Sequence, residues 1–101
     1  MLYAIVGEDV PDSREQRLAA RPAASSSSRR ARWAGRLVLG GPFPAIDSPD
    51  PGPAGFSGSL IVAEFDSLAV AQAWADADPY VAAGVYARVT VRPFKQVLPK
   101  S

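Results

Sequence analysis

An acidic side chain set between an apolar helix and a proline is the first place in this chain to look for chemistry. The run is Ala73-Trp74-Ala75-Asp76-Ala77-Asp78-Pro79-Tyr80. Asp78 has two readings. As a cap it accepts backbone amides of the turn that Pro79 opens, proline being well suited to a first helical position. As a functional group it acts as a base, or orients one, at the mouth of a pocket with Pro79 and Tyr80 beside it. The usual partner of such a carboxylate is histidine, and the chain contains none.

Other residues offer binding rather than catalysis. Arg21, which precedes Pro22, is either an anion-binding group beside the free amides of a helix start or a solvated side chain. Gly40-Gly41-Pro42 and Gly58-Ser59 flank a long loop and let a ligand approach the backbone closely, or simply turn the chain. Asp47, Ser48 and Asp50 lack the ligand number and the glutamate of a calcium loop, so no metal is expected. No glycine-rich nucleotide pattern occurs, and no cofactor is expected. Arg29, Arg30, Arg32 and Arg36 have only Trp33 as an interleaved aromatic, which favours a solvated helix face. The candidate catalytic residue is therefore Asp78. The candidate ligand-binding residues are Arg21, Gly41, Pro42, Ser59, Pro79 and Tyr80.

Composition narrows the function classes. The 101 residues fit one domain, spanning residues 1–101, and 48% apolar residues suffice for a core. Eleven Lys and Arg against ten Asp and Glu leave a net charge of +1, with no global field to attract nucleic acid or an anionic membrane. Without cysteine or histidine, thiolate catalysis, zinc-thiolate sites and the ordinary neutral-pH base are excluded. No apolar stretch reaches the roughly 18 residues of a membrane span, and the start Met1-Leu2-Tyr3-Ala4 lacks the basic region of a signal peptide. A cytoplasmic location is expected.

Periodicity supplies the elements that must position these groups. Leu2–Glu8 is a β-forming apolar run. Ser13-Arg14-Glu15-Gln16 has capping-box spacing, so a helix begins near Ser13. Arg21-Pro22 is expected to interrupt it, with a second piece over Pro22–Ala34 and Gly35 as its C-terminal cap. Arg36–Gly41 reads as a second strand, and the Pro- and Gly-rich Pro42–Ser57 as a long loop. Gly58–Phe65 is a third strand. Ser67 caps a helix over Leu68–Ala77 that places Leu68, Ala71, Trp74 and Ala75 on one face. Val85–Arg92 alternates, with Val85, Ala87, Val89 and Val91 facing one way and Tyr86, Arg88, Thr90 and Arg92 the other.

The order β-α-β-β-α-β predicts an α+β, ferredoxin-like fold: a four-stranded antiparallel sheet with both helices on one face. The first three strands are apolar on both faces, yet the helices cover only one. A homodimer is expected to cover the other. In the second half of the first helix, Ser25, Ser28 and Arg32 occupy positions where an apolar stripe would continue. That segment is expected to be the most mobile element.

Taken together, several motifs resemble the YCII (YciI-like) family of dimeric α/β-barrel proteins. They include Met1-Leu2-Tyr3, Asp12-Ser13, Arg17-Leu18, Arg21-Pro22-Ala23, Gly35-Arg36-Leu37, Gly41-Pro42, Asp50-Pro51-Gly52, Ala54-Gly55-Phe56, Gly58-Ser59, Ala63-Glu64-Phe65, Ala71 to Tyr86 and Pro93-Phe94-Lys95. The resemblance implies a pocket between helices and sheet with a His-Asp dyad. It also points to relatives that dechlorinate chloroaromatics and to fold relatives of the muconolactone isomerase type. The family aspartate falls on Asp78, and the family histidine, after Arg-Pro-Ala, falls on Ala24.

Alanine carries no proton, and loss of a positioned base costs about 10² to 10⁴ in rate. The expectation is a family member that binds a small anionic or aromatic molecule with catalysis absent or impaired. Two alternatives stand beside it. One is a lyase, dechlorinase or isomerase that uses Asp78 without histidine; the other is a structural or interaction module.

Overall fold

A computed structural model describes residues 1–24 and 35–99, with side chains for 1–21 and 35–99. In chain order the elements are β1 (Leu2–Asp9), α1 (Arg14–Ala24), β2 (Leu37–Pro44), β3 (Phe56–Glu64), α2 (Leu68–Asp76), α3 (Pro79–Ala82) and β4 (Tyr86–Phe94). A 3-10 turn at Gly52–Ala54 lies between β2 and β3. The strands form one antiparallel sheet in the order β2-β3-β1-β4. This is the α+β, ferredoxin-like arrangement expected from the element order.

The alternation of a pleated strand decides which residues meet the helices. Tyr3 and Ile5 of β1 pair with Ala63 and Ile61 of β3, and Ile5 also pairs with Val91 of β4. These side chains share the face that receives Ala71 and Ala75 of α2, with Phe65 and Trp74 completing the core. Ser67 is extended, at φ −157° and ψ 166°, and its side chain accepts the Val70 amide, which starts α2 as the sequence predicts. Leu68 is 46% exposed, so the apolar face of α2 is narrower than its spacing implied. The Arg36 guanidinium lies 4.7 Å from the Trp74 ring centroid and covers the core edge.

Four sequence expectations need correction. Arg21-Pro22 does not break the first helix, because α1 runs through to Ala24. Proline removes one amide, the partner of the Leu18 carbonyl, and Leu18 is 57% exposed, where water can replace that bond. The capping box is not made either. The Ser13 hydroxyl donates to Asp9 at 2.5 Å, and Gln16 Oε1 is buried without a hydrogen-bond partner. The charge-assisted bond to Asp9 fixes where the Ser13 hydroxyl points, and the reciprocal pair of a capping box is not formed.

The second strand is also longer than expected. It continues through Pro42, Phe43 and Pro44, because an edge strand tolerates prolines that donate nothing to the ladder. Lastly, the alternation of β4 breaks at its start. Glu8 pairs with Arg88 but Asp9 pairs with Tyr86, so the pairing skips Ala87 and a β-bulge turns Tyr86 onto the helix-facing side.

Gly35, at φ 81°, has the left-handed backbone expected just beyond a helix. The rest of the expected Pro22–Ala34 piece, including its mobility, lies outside the described residues.

Candidate functional site

A cavity of about 630 Å³ lies between α1 and the β2 side of the sheet. Its α1 wall carries Arg14, Arg17, Leu18 and Arg21, whose spacing of three, four and seven residues puts them on one helical face. The sheet contributes Leu37, Gly40, Gly41 and Pro42 from β2, with Phe56, Ser59 and Ile61 from β3. Asp78, Tyr80 and Tyr86 close the end near α3, and Asp50 and Gly52 border the loop side.

Arg17 organises this space. Its Nε and Nη2 donate to the two Asp9 carboxylate oxygens at 2.5 and 2.7 Å, and Nη2 also donates to the Gly58 carbonyl at 2.9 Å. The Asp9 side chain is 2% exposed and that of Arg17 11%, so the pair is shielded from water. The Phe56, Tyr80 and Tyr86 rings stand 5.6, 5.2 and 6.0 Å from the guanidinium carbon. Burial works against the Arg17 charge, but the Asp9 hydrogen bonds and charge outweigh it and raise its pKa. Arg17 is therefore a permanent cation tying α1 to β1 and β3.

Close backbone approach makes room for this cluster. A Cβ on Gly58 would lie 2.2 Å from the Gly7 carbonyl oxygen, and one on Gly7 would lie 2.6 Å from the Tyr86 ring. Only glycine at both positions lets β1 approach β3 and Tyr86 fold over β1. There the Tyr86 and Ser59 hydroxyls make a short hydrogen bond. Burial pushes the Tyr86 phenol above its ordinary value of 10.0, against the Ser59 hydrogen bond, which lowers it; Asp78 adds to the rise and Arg17 opposes it. Burial thus favours the neutral phenol.

Asp78 is the N-cap of α3. It is extended, at φ −65° and ψ 134°, and its Oδ1 accepts the Tyr80 amide at 2.8 Å. This fixes the start of the turn that carries Tyr80 into its tilted stack on Tyr86, with centroids 5.8 Å apart. The capping reading of Asp78 thus holds in the fold, and the same residue borders the cavity.

Of the residues singled out from sequence, Arg21, Gly41, Pro42, Ser59, Asp78 and Tyr80 are brought to this one cavity, and Pro79 is not on its wall. The Ala24 side chain lies outside the described residues. Sequence reasoning missed Asp9, Arg14, Arg17, Phe56 and Tyr86 as site residues. The spacing of Arg14, Arg17 and Arg21 was a readable signal of a cationic helix face. Nothing local announced that Asp9, eight residues from Arg17, would neutralise its middle member.

The arrangement supplies neutral hydroxyl donors, a neutralised cation, two further arginines and a capping carboxylate, with no histidine anywhere in the chain. It can bind and orient an oxygen-bearing molecule, but it holds no imidazole to shuttle a proton near pH 7. Among the described residues no cluster of acidic side chains could hold a metal ion, and no helix is long and apolar enough to cross a membrane.

The YCII-related domain matches residues 1–95. Protein YciI of Escherichia coli O6:H1 is 59% identical over 97 residues, covering 96% of this chain and 99% of that protein. An uncharacterized protein of Haemophilus influenzae is 46% identical over 97 residues, with the same coverage. Among solved structures, 5-chloro-2-hydroxyhydroquinone dehydrochlorinase from Burkholderia phenoliruptrix AC1100, in complex with 2,5-dihydroxybenzoquinone, superposes with a TM-score of 0.80. It is 23% identical and covers 94% of each chain, a likeness of fold. The match over nearly the whole length, together with the β-α-β-β-α-β sheet and the motifs from Met1 to Lys95, establishes that this chain belongs to the YCII-related family.

Proposed function

We propose that the protein binds a small anionic or aromatic molecule in the cavity between α1 and the sheet, with dyad catalysis absent or strongly impaired. The observation that carries this reading is a cavity of about 630 Å³, within the usual range of small-molecule sites, into which Ser59, Tyr86, Arg17 and Asp78 converge. The position where the family resemblance expects histidine is Ala24, and neither serine nor arginine substitutes for a neutral-pH base without a base of its own.

The structural relative solved with 2,5-dihydroxybenzoquinone supplies the first probe. Calorimetric titration with that quinone is expected to show binding to the protein as it stands. Incubation with 5-chloro-2-hydroxyhydroquinone is expected to release chloride slowly or not at all, and Ala24→His to raise that release. Rapid chloride release by the unaltered chain would favour an enzyme working through Asp78 without histidine. Ala24→His with no gain in activity or binding would remove the main support for the impaired-dyad reading. Failure of the quinone and a wider metabolite panel to bind or shift the melting temperature would favour an interaction module.

The reading includes a homodimer. The sheet face away from the helices carries Leu2, Ala4 and Val6 of β1 and Leu60 of β3. Leu39 and Phe43 of β2 join them at 49% and 39% exposure. An apolar patch of this kind across β1, β3 and β2 is stabilised when a second copy covers it.

A further inference from the structure

The cavity holds more unspent binding capacity than a site for any single polar group requires. Two hydroxyls carry two protons, and the bond between Ser59 and Tyr86 uses one of them. Neither hydroxyl has a second partner among the described residues, so one O–H remains for an acceptor that enters the cavity. Whichever of the two hydroxyls keeps it, a free O–H suits a ring oxygen or an oxyanion rather than a cation.

The Arg17 charge is already paired with the buried Asp9 carboxylate, and its Nε and Nη2 are committed to Asp9 and the Gly58 carbonyl, so it is not the group that balances a ligand's charge. Arg14 and Arg21 differ. Both are exposed, both border the cavity, and neither has a hydrogen bond or ion pair among the described residues. They stand seven residues apart, about 10 Å along the helix, within reach of one group between them when their long side chains lean inward. The carboxylates of Asp50 and Asp78 also border the cavity, but off α1, and Asp78 is engaged in capping α3. The α1 wall is thus the positive one. Leu18 and Leu37 also line the cavity, 57% and 47% exposed, apolar surface that a flat ring would cover.

We infer that the cavity takes a one-ring aromatic acid bearing an oxygen substituent, with the ring oxygen on the Ser59–Tyr86 hydroxyl pair and the carboxylate on Arg14 and Arg21. This rests on the proposal that the cavity is a small-molecule site, and it names the class of molecule.

Calorimetric titration with 4-hydroxybenzoate, benzoate, phenol and 2,5-dihydroxybenzoquinone tests it. The hydroxy acid is expected to bind at least about tenfold more tightly than benzoate or phenol, since each loses one charge-assisted or buried hydrogen-bonded anchor. Tyr86→Phe and, independently, Ser59→Ala are expected to bring 4-hydroxybenzoate down toward benzoate. The double variant Arg14→Gln/Arg21→Gln is expected to bring it down toward phenol, with circular dichroism melts confirming that each variant is folded. Equal affinities for the acid, benzoate and phenol, or arginine variants with undiminished affinity, overturn the inference. If the quinone alone binds, the inference fails while the small-molecule site survives; if nothing binds, both fail.

Discussion

Arg17 and Asp9 lie eight residues apart and meet through two hydrogen bonds of 2.5 and 2.7 Å, joining the end of β1 to the first turn of α1 beneath the cavity. Ser13 adds a third bond to the same carboxylate, and the Gly58 carbonyl takes the remaining Nη2 proton. One buried carboxylate therefore sets both the start of α1 and the orientation of its cavity-facing side chains.

Removing one member of such a pair strands the other's charge. Asp9→Asn is expected to destabilise the fold by about 3–5 kcal/mol, and Arg17→Met by a comparable amount. The double variant is expected to lose less than the two single losses combined, because neither charge is then left alone. Urea denaturation measures all three; a loss below about 1 kcal/mol in both single variants would mean the pair is screened as a surface pair is.

Backbone packing makes a sharper prediction. Gly58→Ala places a methyl 2.2 Å from the Gly7 carbonyl oxygen, which neither strand can vacate without parting the β1–β3 ladder. A loss of about 3 kcal/mol is expected, at the upper end for overpacking. Gly41→Ala meets nothing within 4 Å and serves as the control, expected within about 0.5 kcal/mol of the parent. Similar melting temperatures for the two would refute the close-approach argument.

The Tyr86 phenol gives a pH signature. Its pKa is raised in the fold, first by burial, so the neutral form is favoured there. Its contribution to stability is fully present below the unfolded value of 10.0 and is lost as pH rises through the higher folded value. An ultraviolet titration of phenolate formation, taken as the difference between the parent and Tyr86→Phe, should show a midpoint above 10.0. A midpoint at or below that value would mean that burial does not dominate at Tyr86, since the Ser59 bond by itself lowers the value.

Leu60 sits on a central strand of the sheet face that the helices leave open. Under the homodimer proposal, Leu60→Lys buries an unpaired charge at the interface and is expected to give a folded monomer. Sedimentation at micromolar concentration distinguishes the cases, and a parent chain already monomeric there would end the proposal.

Much of the architecture could be read along the chain, because it depends on neighbours a few residues apart. The apolar β-forming runs near Leu2 and Gly58, the alternation after Val85 and the Ser67 cap with Ala71 and Ala75 placed three strands and α2 within a few residues. Local rules failed where a distant group changed the balance. The Ser13 hydroxyl points its proton at Asp9 instead of forming the capping box, and the skipped Ala87 turned Tyr86 to the opposite face from the one its alternation implied.

The candidate site divides in the same way. Sequence alone determined the family, the element order, the absence of any histidine and the alanine at position 24. Each is a property of residue identity or short spacing, and no folding is needed to state it. The tertiary structure alone decided that Arg17 is neutralised by Asp9 while Arg14 and Arg21 have no such partner among the described residues, that Asp78 caps α3, and that Tyr86 meets Ser59, 27 residues away. Those outcomes depend on which strands pair and where one bulge falls, and the physical reason is that charge compensation and hydrogen bonding act through space rather than along the chain.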